Sequence, residues 1–165
     1  MLRRPHRIVR RARDGNFEIN MSAPEREILG SLVPQLRELL TAGSGGGAEA
    51  APVDPSLARL FPTAYPDDDE LNAEYQAMVH DELLEKRLAA LDVVEETIEA
   101  ERLDEEQLLR WMGAVNDLRL VLGTRLDVSE DMDEIDLEDP NAPLLGVYGY
   151  LGWLLEHIVE ALSEN

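Results

Sequence analysis

Residues 111–126 read Trp-Met-Gly-Ala-Val-Asn-Asp-Leu-Arg-Leu-Val-Leu-Gly-Thr-Arg-Leu. The whole chain carries a formal net charge of −20, yet only Asp117, Arg119 and Arg125 charge this stretch. Arg119 falls between Val115 and Leu122 on one helical stripe, which predicts an arginine at least half buried. An unpaired buried guanidinium costs several kcal/mol, roughly, so a carboxylate or several carbonyls must meet it. Glu156, embedded in Leu154-Leu155-Glu156-His157, is the expected partner, because Asp117 at i−2 is poorly placed. The pair Arg119 and Glu156 is read as a structural bridge fixing helix register. No nucleophile or phosphate loop accompanies it, so no catalytic residue is assigned.

Working outward, Asp104-Glu-Glu-Gln107 is a capping signal that starts this helix near Glu105, and Gly123-Thr124 is expected to end it at Leu122. Upstream, a long helix is predicted from near Asp69 to about Ile98, its stripe His80, Leu84, Leu88, Leu91, Val94 and Ile98. Ser22-Ala-Pro-Glu25 is a capping box for a further helix over about 24–40, striped by Ile28, Leu32, Leu36 and Leu39 or Leu40, with Pro34 predicting a kink. The last helix is predicted from Asn141-Ala-Pro143 to about Leu162, striped by Leu144, Val147 or Tyr148, Leu151, Leu154 or Leu155, Ile158 and Leu162.

The chain opens on a hairpin signal over about 7–21, two short runs around Asp14-Gly15. Asp-Gly suits a two-residue type I′ turn, which pairs Ala12 with Phe17, Arg11 with Glu18 and Ile8 with Met21. A Gly/Ala/Pro-rich stretch over about 43–55 is expected to be a mobile loop, and Asp54-Pro55 to start one short helical turn through Leu60. Residues 127–139 hold eight acids in thirteen positions, which predicts a solvated acidic loop. The expected architecture is mainly α: one domain over 1–165, a bundle of about four main helices with an N-terminal β-hairpin.

Composition excludes several function classes. The chain has no cysteine, so disulfides, thiol catalysis and zinc–thiolate sites are out. No apolar run approaches the ~18–20 residues of a membrane span, and the basic N-terminus lacks an apolar signal core, so a cytoplasmic location is expected. Six of the fifteen basic residues lie within residues 1–13, leaving the other 152 residues with a net charge of −26. So acidic a body repels phosphate backbones, and no DNA binding is expected at physiological salt. The opening arginines are read as a charged sheet edge that pairs with the chain's own acids.

No metal is expected. His6, His80 and His157 lack ligand spacing, and His80 on its apolar stripe reads as a hydrogen-bonded core histidine. The acidic loop approaches calcium-loop offsets from Asp127 to Glu138, but Met132 stands where glycine must turn and Ile135 at offset nine. The loop reads instead as an acidic docking surface through Glu130, Asp131, Asp133 and Glu134. Gly146, Gly149 and Gly152 recur at every third position of the last helix beside Trp153. Such small residues let another backbone approach, so this face is a candidate partner surface or homodimer seam.

The run Asn116-Asp-Leu-Arg-Leu-Val-Leu-Gly-Thr-Arg-Leu126, followed by Tyr148-Gly-Tyr-Leu-Gly-Trp-Leu-Leu-Glu156, resembles the actinobacterial AosR-type oxidative-stress regulator family, formerly a family of unknown function. The likeness extends over nearly the whole chain. The bias of fourteen arginines against one lysine suits a high-GC genome. The resemblance implies a cytoplasmic regulator without a cofactor, whose partner is an extracytoplasmic-function sigma factor or RNA polymerase component. In that family the contact follows a disulfide formed in a Cys-x-x-x-Cys motif, and this chain departs from it by having no cysteine. Family members are often encoded beside a Clp protease adaptor, which implies a proteolysis-linked accessory role as an alternative. A further alternative from the residues is a ligand-binding or enzymatic bundle with a pocket near Trp111, Arg119 and Trp153.

Overall fold

A computed structural model of the chain describes residues 7–42, 57, 60, 69–126 and 138–164, apart from the side chains of 69–73 and 75–77. Its elements are strands β1 (Val9–Arg11) and β2 (Phe17–Ile19), helices α1 (Ala23–Ala42) and α2 (Asp69–Thr97), strand β3 (Arg102–Leu103), and helices α3 (Glu105–Arg125) and α4 (Ala142–Ser163). The fold is mainly α: the described residues form four helices and a small three-stranded antiparallel sheet in the order β1-β2-β3.

Both predicted capping boxes form. The Ser22 hydroxyl accepts from the Glu25 amide at 3.3 Å, while Glu25 Oε1 accepts from the Ser22 amide and hydroxyl. Asp104 accepts from the Gln107 amide at 2.8 Å and Gln107 Oε1 accepts back from the Asp104 amide at 3.0 Å. Each box meets amides that a helix leaves orphaned in its first turn.

The hairpin forms in a different register. Val9 pairs with Ile19, Arg10 with Glu18 and Arg11 with Phe17, one residue away from the type I′ expectation. The loop has three residues rather than two: Gly15 N–H donates to Ala12 O, Ala12 N–H donates to Asn16 O, and Gly15 takes φ +89°. That is a type I turn closed by a left-handed glycine, and Asp14 Oδ1 fixes it by accepting from the Asn16 amide at 3.0 Å. The shift brings Arg10, not Arg11, to Glu18, at 2.8 Å. Ile8, Phe17 and Ile19 are still buried.

Strand β3 was not foreseen, two residues being too short for a period-two signal. It extends the hairpin by pairing Phe17 with Leu103, and Ile19 N–H donates to Glu101 O at 2.8 Å. Arg26 ties this corner together. Its guanidinium donates to the carbonyls of Ile19, Met21, Ile98 and Ala100, joining the end of α2 and the sheet to the first turn of α1.

The helix ends largely match expectation, but the buried faces shift. In α1 the core residues are Leu29, Val33, Leu36 and Leu40, and Ile28 is exposed. In α4 Leu145 is buried and Leu144 exposed. Helix α1 runs through Pro34, which lies on the exposed side. Helix α3 continues past Gly123 to Arg125. Gly123 is not a cap: it is buried inside the helix, where an added Cβ would stand 2.8 Å from the Tyr148 ring of α4. It is a close-approach position between two helices.

One buried apolar cluster joins all these elements. Trp111, at its centre, is buried and donates from its indole N–H to the Thr97 hydroxyl at 2.7 Å, clamping the end of α2 to α3. Leu57 and Leu60 are buried, with Leu60 N–H donating to Leu57 O, in keeping with the predicted short turn. The rest of that turn, the stretch over about 43–55 and most of the acidic loop, including Glu130, Asp131, Asp133 and Glu134, lie outside the described residues. No helix among the described residues is long and apolar enough to cross a membrane.

Candidate functional site

Helix α3 places one charge toward each neighbouring helix. Toward α2 it buries Asp117, the only buried charged residue among those described, at 3% exposure. Asp117 follows Ala114 by three and precedes Val121 by four, so it lies on the apolar stripe itself. Arg87 meets it across the helix pair, Nη1 on Oδ1, while Nη2 donates to Leu60 O at 3.0 Å. Burial pushes the Asp117 carboxyl above its usual range, and the Arg87 guanidinium offsets only part of that rise. Sequence reasoning missed this pair. The available signal was an acid at the i+3, i+4 spacing of α3 matched by Arg87 between Leu84 and Leu91 on α2.

Arg119 lies on the α4 side and is half buried, as expected, but it makes no ion pair with Glu156 among the described residues. Its guanidinium carbon stands 5.2 Å over the Tyr148 ring, and its Nε packs toward Gly152 and is buried without a hydrogen-bond partner. Glu156 is exposed. It lies eight residues beyond Tyr148, roughly 12 Å along the helix axis, and faces solvent. The bridge expected from sequence is replaced by an aromatic face, a weaker but well-known way to hold a guanidinium.

The glycines of α4 divide. A Cβ on Gly152 would come within 3.2 Å of Arg119 Nε, so Gly152 makes room for that side chain. Gly146 and Gly149 are exposed, and a Cβ on either would meet nothing within 4 Å. They share a solvent stripe roughly 80° wide with Trp153, Glu156 and Glu160, all exposed. Trp153 is 41% exposed, large for an indole on a monomer surface. Its ring is flanked by His157 at 4.4 Å and Tyr150 at 6.0 Å between centroids. Tyr150 in turn donates its hydroxyl to Glu25 Oε2 at 2.8 Å, and burial pushes that phenol well above its usual range. The aromatic edge of α4 is thereby anchored to the capping carboxylate of α1.

A second feature lies between α2 and α3, where a groove of about 440 Å³ runs past the Arg87–Asp117 pair. Its polar lining includes Lys86, Arg110, Asn116 and Glu106. This is not the pocket expected near Trp111, Arg119 and Trp153: Trp111 is sealed in the core and Trp153 faces solvent. His80 is a third exposed, so it is not a core residue. Among the described residues no group of three or more His, Cys, Asp or Glu is placed to hold a metal ion.

Of the opening arginines among the described residues, Arg7, Arg10 and Arg11 contact the chain itself. Arg7 pairs with Glu164, Arg10 pairs with Glu18, and Arg11 lies 5.0 Å over the Phe17 ring.

Comparison with known proteins shows the chain's family. The family described as Domain of unknown function (DUF2017) matches residues 4–162. A Mycobacterium leprae protein named as the oxidative stress regulator AosR is 35% identical over 146 residues, covering 78% of this chain and 67% of its own length. The oxidative stress regulator AosR of Mycobacterium tuberculosis H37Rv is 33% identical over 137 residues, covering 72% of this chain and 63% of its own length, and the Mycobacterium bovis protein is similar to the same degree. The chain thus spans about two thirds of the length of these relatives. No solved structure matches it. With nearly every described element inside the matched range, the chain belongs to the DUF2017 family.

Proposed function

We propose that this chain is a non-enzymatic regulator of the oxidative-stress response that works by binding another protein, a sigma factor or RNA polymerase component, through the exposed stripe of α4. The names of its mycobacterial relatives support the regulatory part of the reading. The observation that carries the contact is the stripe itself: Gly146 and Gly149 leave open backbone beside a 41% exposed Trp153. An aromatic body beside a shallow glycine step is the kind of anchor that dominates interface energetics. Glu156 and Glu160 border it, so the stripe favours a basic partner surface and repels an acidic one.

The mode of control differs from a thiol switch. With no cysteine, no disulfide can gate this contact. The binding is therefore constitutive or gated elsewhere. Nucleic acid is not part of the reading, because Arg7 and Arg10 are engaged by the chain's own acids.

Affinity capture from the native host with the wild-type chain and with Gly149→Leu tests this. The wild type recovers a transcription component, and Gly149→Leu, which adds a side chain into open space, loses it without any fall in its thermal midpoint. Equal recovery by both proteins, or recovery of no transcription component, contradicts the reading.

A further inference from the structure

Most of the described cations are engaged within the chain, by acids, carbonyls or aromatic rings. Arg37 is held by Asp92 and Glu95, Arg102 by Asp14, Arg87 by Asp117, and Arg26 by backbone carbonyls. Lys86 and Arg110 are different. Among the described residues neither makes a hydrogen bond or an ion pair, and they stand on opposite walls of the groove between α2 and α3. The groove's charged lining is three basic residues and two acidic ones, a local excess of +1 in a chain of −20. One of the acids, Asp117, is neutralised by Arg87, and the other, Glu106, is exposed at the rim.

The rest of the groove is apolar and open. Leu83 and Leu109 line it, Leu109 being 46% exposed, and Gly113 leaves its wall without a side chain. Its volume of about 440 Å³ falls within the range of small-ligand pockets. We propose that this groove binds a small anionic amphiphile, its acid group held between Lys86 and Arg110 and its apolar body lying on Leu83 and Leu109. Asn116 supplies a neutral donor and acceptor beside the head group. A small ligand fits better than an acidic protein segment. Local charges dominate within a Debye length of about 8–10 Å, whereas a macroanion also meets the repulsion of the surrounding acidic surface.

The test is titration of the full-length chain with decanoate, decyl phosphate and neutral 1-decanol, each below its micelle concentration, followed by amide chemical shifts. Saturable shifts confined to residues 83–90 and 106–117 are expected with the two anions. Decanol should bind about tenfold more weakly or worse, the discrimination expected of charge-assisted contacts. Tighter binding of decyl phosphate than of decanoate assigns the head group as a phosphate monoester, and the reverse order assigns a carboxylate. Lys86→Gln/Arg110→Gln should lower affinity for both anions by a similar factor without moving the thermal midpoint, since both side chains are at least partly exposed. Absence of saturation, shifts centred on another part of the chain, or equal affinity for decanol and the anions would each overturn the proposal.

Discussion

The two long flanks of α3 solve the problem of a charge in a helix interface differently. Toward α2 the charge is a short carboxylate, Asp117, which is 3% exposed and needs a full ionic partner, Arg87. Toward α4 it is a long guanidinium, Arg119, which stays half buried and lies against the Tyr148 ring. A carboxylate on a one-carbon stem cannot reach water from the middle of a stripe, whereas an arginine can bury its stem and leave its head near the rim. The first interface therefore depends on one pair, and the second on shape, with Gly123 and Gly152 admitting Tyr148 and Arg119.

The largest effect should come from breaking the ionic flank. Asp117→Ala removes one partner of a buried pair, and urea unfolding should show a loss of about 3 kcal/mol. The same residue sets a pH signature. Its folded carboxyl titrates above the unfolded one, so the folded state holds the proton more tightly. Its contribution is fully present below the unfolded value and declines as pH rises through the folded value. Asp117→Asn should remove that decline from the stability-versus-pH curve, and an unchanged curve would show that Asp117 titrates normally.

A smaller effect probes the shape-based flank. Gly123→Ala places a methyl group 2.8 Å from the Tyr148 ring. The crowding, about 1–3 kcal/mol, should exceed the ~1 kcal/mol gain in helix propensity and lower the thermal midpoint. The smallest effect has the opposite sign. Gly149→Ala meets open space and should stabilise the chain by at most about 1 kcal/mol. If its midpoint falls instead, the α4 stripe is packed against something and is not a free surface.

Much of the fold was legible because its signals are local. The two capping boxes, the Asp14-Gly15 turn and the helix starts each rest on residues within one turn of one another. What was misread depended on counting to a single residue. Two-residue and three-residue loops both use Asp-Gly, so the hairpin slipped by one. Helix α1 carries adjacent apolar pairs at 28–29, 32–33 and 39–40, so either phase of its stripe is plausible from spacing, and packing chose the later residue at each fully buried position. The candidate site was less legible. Trp153, Gly146 and Gly149 drew notice in the sequence because small and aromatic residues stand out in a helix, and all three are exposed. Asp117 was passed over because an acid normally marks a solvent face, and its partner Arg87 lies 30 residues away. Lys86 and Arg110 meet only through the packing of α2 on α3.

The most direct test is a pair of double-mutant cycles read by urea unfolding, one on Arg87 and Asp117 and one on Arg119 and Glu156, each residue replaced by alanine. The structure predicts a coupling energy of about 2 kcal/mol for the first pair and none above about 0.3 kcal/mol for the second. A negligible coupling between Arg87 and Asp117, or a larger one between Arg119 and Glu156, would contradict this assignment of the two flanks.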